Sequence, residues 1–283
     1  MNDPSHIPPR LLAQARAYVQ AGDIYQAVKV YRLLLRQYPE LHEPPAELGA
    51  LYVKRREWKP ALHYLKKALA LAPQEPELWW SVGTAATALH KMRLARSIWA
   101  KFGWSAPSPR KGELVVVRLQ YGPYYEILWG QRLGPVRAVL ASIPSPDSGL
   151  AHRDELLLEG RPSGYHVSSR KRYPVFDVLD VHKRSHFHTW SSNLSQASEK
   201  AVNVLADLCS QNGVGFENWS NASQSWQSHY RHPEYYHHPM PEEAWEEDLL
   251  VAFAHREIRP VQKILRNWSI ITGGQFGPLQ AQG

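Results

Sequence analysis

Over residues 42–75, HEPPAELGALYVKRREWKPALHYLKKALALAPQE, apolar positions return three and four apart, and their phase shifts once near the middle. Leu48, Leu51 and Tyr52 share one helical face, and Gly49 on that face admits a second helix at close range. In the second half Ala61, Leu62, Tyr64, Leu65, Ala68 and Leu69 make another stripe, with small alanines where two helices pass and large residues beside them. Pro73 then stops the helix. The pattern predicts a helix–turn–helix unit that cannot bury both of its faces alone and therefore needs neighbours of its own kind.

Those neighbours stand 34 residues away on either side. Upstream, Ala15 and Tyr18 precede the turn Gly22-Asp23, and Ala27, Tyr31, Leu34 and Pro39 follow at the positions of Ala61, Leu65, Ala68 and Pro73. Downstream, Trp79, Val82, Gly83 and Ala86 are followed by Ala95 and Trp99, and the pattern fades at Phe102-Gly103. With this period and these residues, 8–104 resembles a tetratricopeptide repeat (TPR) array of three helical hairpins. The resemblance implies an α-solenoid whose first helices line a concave surface that takes a peptide or protein. Carried over residue by residue, that surface holds Leu12, Arg16, Val19 and Gln20, then Ala46, Ala50, Val53 and Lys54, then Trp80, Thr84, Thr87 and Ala88. Arg16 and Lys54 are its cations and Trp80 its aromatic anchor; the alternative for these positions is packing against the downstream region. The Lys and Asn with which one subclass of the family clamps a C-terminal carboxylate are absent.

After the Pro- and Ser-rich linker 105–111 the pattern turns extended. β-branched and aromatic runs at 113–119, 124–129 and 136–143, with weaker ones at 155–158 and 175–181, predict an antiparallel curved sheet or small barrel of about five strands over 112–183. An α+β module is expected over 184–272: a strand at 187–194, a helix at 196–209, a strand at 214–219 in a crossover long enough for parallel pairing, and a mostly helical stretch 241–268 divided by Pro260. Residues 273–283 read as a loose tail. The whole is multidomain, and residues 106–283 carry no family resemblance.

Charge changes the picture in one respect. The net charge of +7 belongs entirely to residues 1–105, where 15 Lys and Arg face 8 Asp and Glu; the remainder holds 18 of each. An acidic partner at the array and a generically solvated helical surface both account for that surplus. No apolar run approaches a membrane span and the start MNDPSHIPPR is no signal peptide, so a cytoplasmic protein is expected. Cys209 is the single cysteine; it has no disulfide partner and, in an apolar helix stripe, is expected to be a packed core thiol.

Fourteen histidines call for a metal test. His182, His186 and His188 form H-x3-H-x-H, with the last two on one strand face, yet no cysteine or H-E-x-x-H accompanies them. His229, His232, His237 and His238 crowd a Tyr-rich, Pro-bearing stretch that reads as a mobile surface loop, with partner contact ahead of metal ligation as its alternatives. Arg170, Lys171 and Arg172, with Tyr165 and Tyr173 nearby, could meet phosphates and stack bases. Phosphate loops, nucleophile elbows and dinucleotide fingerprints are missing. The expectation is therefore a non-enzymatic TPR scaffold or adaptor for a peptide or protein partner, such as an assembly, toxin-neutralising or defence-complex subunit, with no cofactor. Its rivals are a metal-assisted hydrolase acting on nucleic acid or nucleotide through the His182 group, and a nucleic-acid-binding protein using the 170–172 patch.

Overall fold

A computed structural model describes residues 7–104, 112–121, 124–168, 171–222, 226–227 and 248–282. The chain divides into two compact units, Met1–Pro107 and Ser108–Gly283.

The first unit is a set of TPR-like helical repeats. Helices α1 (Ile7–Gln20) and α2 (Ile24–Gln37), α3 (Glu43–Lys54) and α4 (Trp58–Leu71), and α5 (Pro76–Ala88) and α6 (Met92–Lys101) pack as three hairpins. The 34-residue register is visible in burial: Ala27, Ala61 and Ala95 have no exposed surface, and Tyr31, Leu65 and Trp99 are buried one turn further on. Gly49 and Gly83 explain the close helix approach, because a Cβ at Gly49 would stand 2.7 Å from Leu65 Cγ and one at Gly83 2.6 Å from the Trp99 ring. The turns obey the same period. Gly22, Arg56 and His90 all take positive φ, at 78°, 57° and 54°. Behind each, the next amide reaches back five residues to a carbonyl, Asp23 to Tyr18, Glu57 to Tyr52 and Lys91 to Ala86, every one at 2.9 Å. This is the Schellman closure, which satisfies the carbonyls left bare at a helix end.

In the second unit, β1 (Leu114–Tyr121), β2 (Tyr124–Gly134), β3 (Arg137–Leu140) and β4 (Glu155–Leu158) form an antiparallel meander, and β5 (Gly164–Ser168) and β6 (Lys171–Lys183) a hairpin. β4 pairs with β6, and β6 pairs in parallel with β1 through Val116 and Val175, closing β1-β2-β3-β4-β6 into a five-stranded ring, with β5 paired to the first residues of β6. A barrel-like sheet was the expectation. The parallel closing pair follows from an odd number of alternating strands. Val115, Val117, Leu128, Ala138, Leu140, Leu156, Leu158 and Phe176 fill its core.

Next come β7 (His188–Ser195), α7 (Glu199–Gln211), β8 (Gly215–Asn218), the short α8 (Trp219–Ala222), β9 (Trp226–Gln227, paired to β2), β10 (Leu249–His255), α9 (Ile258–Thr272), β11 (Gln275–Phe276) and β12 (Gln280–Gln282). Four expectations are corrected here. β7 and β8 do run parallel, but β10 lies between them and pairs antiparallel with both. Residues 249–255 are thus a central strand, where a helix was expected; the stretch 241–247 lies outside the described residues. From Val251 to Ala254 the strand is buried on both faces, Val251 and Phe253 against α7 and α9, Ala252 and Ala254 against Ile143 and Trp219, and two-sided burial erases the alternation that marks most strands. Pro260 does not divide a helix either. It occupies the first turn of α9, where a missing N–H costs nothing. The supposed tail, finally, adds β11 and β12 to the edge of β7.

Candidate functional site

Two places in the chain concentrate candidate chemistry, the first helices of the array and the joint at which β8 meets the loop after β3. Among the positions expected to line a concave face, Gln20, Ala50 and Lys54 are exposed, Val19, Ala46, Val53 and Ala88 half-buried, and Leu12 buried. Arg16 is exposed but not free: its Nε lies 3.0 Å from Glu47 Oε1 on α3, and Tyr31 Oη donates to Glu47 Oε2 at 2.9 Å. The Glu47 carboxylate raises the pKa of Arg16, and burial followed by the same carboxylate raises that of Tyr31. This trio ties the first hairpin to the second. Thr84 and Thr87 are buried inside α5, their hydroxyls donating to Trp80 O at 3.0 Å and Gly83 O at 2.8 Å, and Thr87 Oγ1 also accepts from Trp99 Nε1. Trp80 packs edge-on to Trp99 and Phe102, with ring centroids 5.0 and 5.2 Å apart. The anchor therefore caps its own hairpin, and Gln20, Ala50, Val53 and Lys54 carry what the array offers outward.

The second place was not foreseen. Ile143 N donates to Glu217 Oε2, Ser145 N donates to Glu126 Oε1 at 2.8 Å, and Trp219 Nε1 donates to Ile143 O at 3.0 Å. Two carboxylates from two sheets thus grip one loop. Burial raises the pKa of both; Glu217, with the Glu126 charge adding to desolvation, is pushed up to about 7 even though the Ile143 amide and the Ser142 hydroxyl oppose the shift. Beside them His152 donates from Nδ1 to Ser142 O at 3.2 Å, and burial lowers its pKa. The one sequence signal was phase: Glu126 shares the buried side of β2 with Leu128. Nothing local marked Glu217.

Asp154 has no exposed surface and is fully engaged, accepting from Ser185 N at 2.7 Å, Ala151 N at 3.0 Å and Arg184 at 3.0 Å.

The histidine group disperses. His182 lies within the last two residues of β6, His186 sits in the connection that follows, ahead of the strand it was expected to share with His188, and His188 opens β7 beside Trp190. Among the described residues no three His, Cys, Asp or Glu side chains are placed to hold a metal ion. His229, His232, His237 and His238 lie outside the described residues, as does Arg170. Lys171 and Arg172 are exposed on β6, and the Arg172 guanidinium already covers the Tyr165 ring at 5.5 Å, so the ring proposed for bases is in use. Cys209 is fully buried among apolar neighbours, which push its thiol up to about 12. No described helix is long and apolar enough to cross a membrane.

No family model matches the chain, and no curated protein matches it. Among solved structures, yeast Tom70 is similar at 19% identity and a TM-score of 0.34, covering 38% of this chain and 22% of that one. MamA AMB-1 is similar at 21% identity and a TM-score of 0.32, covering 36% of this chain and 55% of that one. A hypothetical protein from Neisseria gonorrhoeae is similar at 16% identity and a TM-score of 0.26, covering 59% and 92%. The chain thus spans less than two thirds of the length of Tom70 and of MamA AMB-1. The TPR-like character of the first unit rests on its own register of 34, repeated in core, glycines and turns.

Proposed function

We propose that the protein is an interaction scaffold whose helical array docks a peptide or protein through the outward side of α1 and α3. One observation carries this reading: the interior of the array is complete, while Gln20, Ala50, Val53 and Lys54 leave accessible a mixed face of small, apolar and cationic groups. Such a face suits an extended segment or a helix that brings apolar side chains and acidic groups together. The second unit serves as a further module of the scaffold, with its buried Glu126, Glu217 and Asp154 committed to holding loops.

The test is affinity capture with the full chain followed by quantitative binding of the captured partner. Ala50→Arg with Lys54→Glu is expected to abolish capture, whereas Lys66→Glu with Lys67→Glu, on exposed positions of α4, leaves it intact. Equal retention by both variants would remove the first-helix face from consideration.

A further inference from the structure

The charge surplus of the array has a focus. An open groove of about 540 Å³ between α1 and α2 is bordered by Lys29, Arg32 and Arg36, floored by Val30 and Leu33, and closed on the α1 side by Tyr18; two glutamines complete it, and no carboxylate does. The three cations stand at i, i+3 and i+7, one flank of a helix over about 10 Å. Lys29 and Arg36 are exposed and join no ion pair among the described residues. Arg32, between them, is exposed as well, and the neighbouring Tyr64 side chain raises its pKa. Tyr18 lies about 200° around α1 from Gln20, so the groove opens on the flank opposite the face assigned above.

We propose that this groove is a docking site for an acidic protein segment, its carboxylates meeting Lys29, Arg32 and Arg36 and an apolar side chain resting on Val30 and Leu33. Charge complementarity selects the sign of the occupant. The apolar floor and the amides select a peptide over a nucleic acid, since one phenol ring gives no platform on which successive bases could stack.

Fluorescence anisotropy on the full chain tests this with a labelled peptide of about a dozen residues, Glu-rich with a Leu at every fourth position. Its Gln-for-Glu counterpart and an oligo-dT of matching length are the comparators. The acidic peptide is expected to bind, with affinity falling as salt rises; Lys29→Glu with Arg36→Glu weakens it about tenfold or more, and the Gln peptide is lost to a similar degree. Lys66→Glu with Lys67→Glu leaves binding unchanged, and so does Ala50→Arg with Lys54→Glu, which separates this groove from the scaffold face. Should the double reversal disturb the helical circular dichroism, Lys29→Ala with Arg36→Ala takes its place. Absence of acidic-peptide binding, equal binding by wild type and groove variant, equal loss in the α4 control, or tighter binding of oligo-dT would each overturn the proposal.

Discussion

Glu217 places a titration near neutral pH inside a structural joint. Its carboxyl sits in the folded chain at about 7, against an ordinary value of 4.5, first because burial penalises the anion and then because Glu126 is near. Between those two values the folded chain holds a proton that the unfolded chain has released, so stability falls as pH rises from 4.5 to 7 and levels off above. The span corresponds to something on the order of 3 kcal/mol. His152 acts in the opposite sense: burial lowers its pKa, so its contribution is lost as pH falls below the ordinary histidine value. The two are separated by difference. Glu217→Gln keeps an acceptor for Ile143 N and removes the titration, so the stability gap between wild type and variant, from urea unfolding at half-unit steps of pH, should move in favour of the variant from pH 4.5 to 7. A gap constant with pH would show that Glu217 does not titrate there.

At the scale of the element, the three hairpin turns show how far a sequence can be read. Gly22-Asp23 announces a turn by composition, and the structure gives Gly22 its left-handed φ. Arg56 and His90 adopt the same conformation with residues that give no hint of it. Only the register of 34 predicts them, because neighbouring helices that pack alike must be joined alike. Where a turn is imposed by packing, a side chain at positive φ carries a strain of about 1–2 kcal/mol. Arg56→Gly relieves that strain and restores about 0.5–1 kcal/mol of unfolded-state entropy cost. The difference favours the variant, which should be more stable by about 0.5–1 kcal/mol, while Gly22→Ala should lose about 1 kcal/mol. Denaturant midpoints of the two variants check both signs, and a destabilised Arg56→Gly would mean that the Arg56 side chain contributes more than its backbone costs. The same reasoning marks what was illegible in β10. Its burial depends on β7 on one side, β8 on the other and helices above, none of which is local to residues 249–255.

Across the whole molecule, legibility follows contact range. The array is built from neighbours at most one repeat apart, so its period, its core and its glycines stood in the sequence. Side chains whose fate is set by tertiary partners did not: Thr84 and Thr87 turn inward, Trp80 covers Trp99, and Glu217 reaches a loop 74 positions away. The C-terminus belongs to this class. Gln275-Phe276 and Gln280–Gln282 look like the end of a chain with nothing to do, yet both pair with β7. Gly277 N donates to Asn193 O at 2.8 Å, Ser192 Oγ donates to Gly277 O at 2.9 Å, and Gln282 Nε2 donates to Ser191 Oγ at 2.7 Å. Phe276 and Leu279 pack on the core that holds Trp268 and Phe253. Ending the chain after Gly274 therefore uncovers the edge of β7 and part of that core, at a cost of about 2–4 kcal/mol. Hydrogen exchange of the truncated protein should show protection lost along β7, with the amides of α3 unchanged as an internal reference. If β7 exchanges as slowly as in the full chain, β11 and β12 cover an edge that is already stable without them, and the second unit ends at α9.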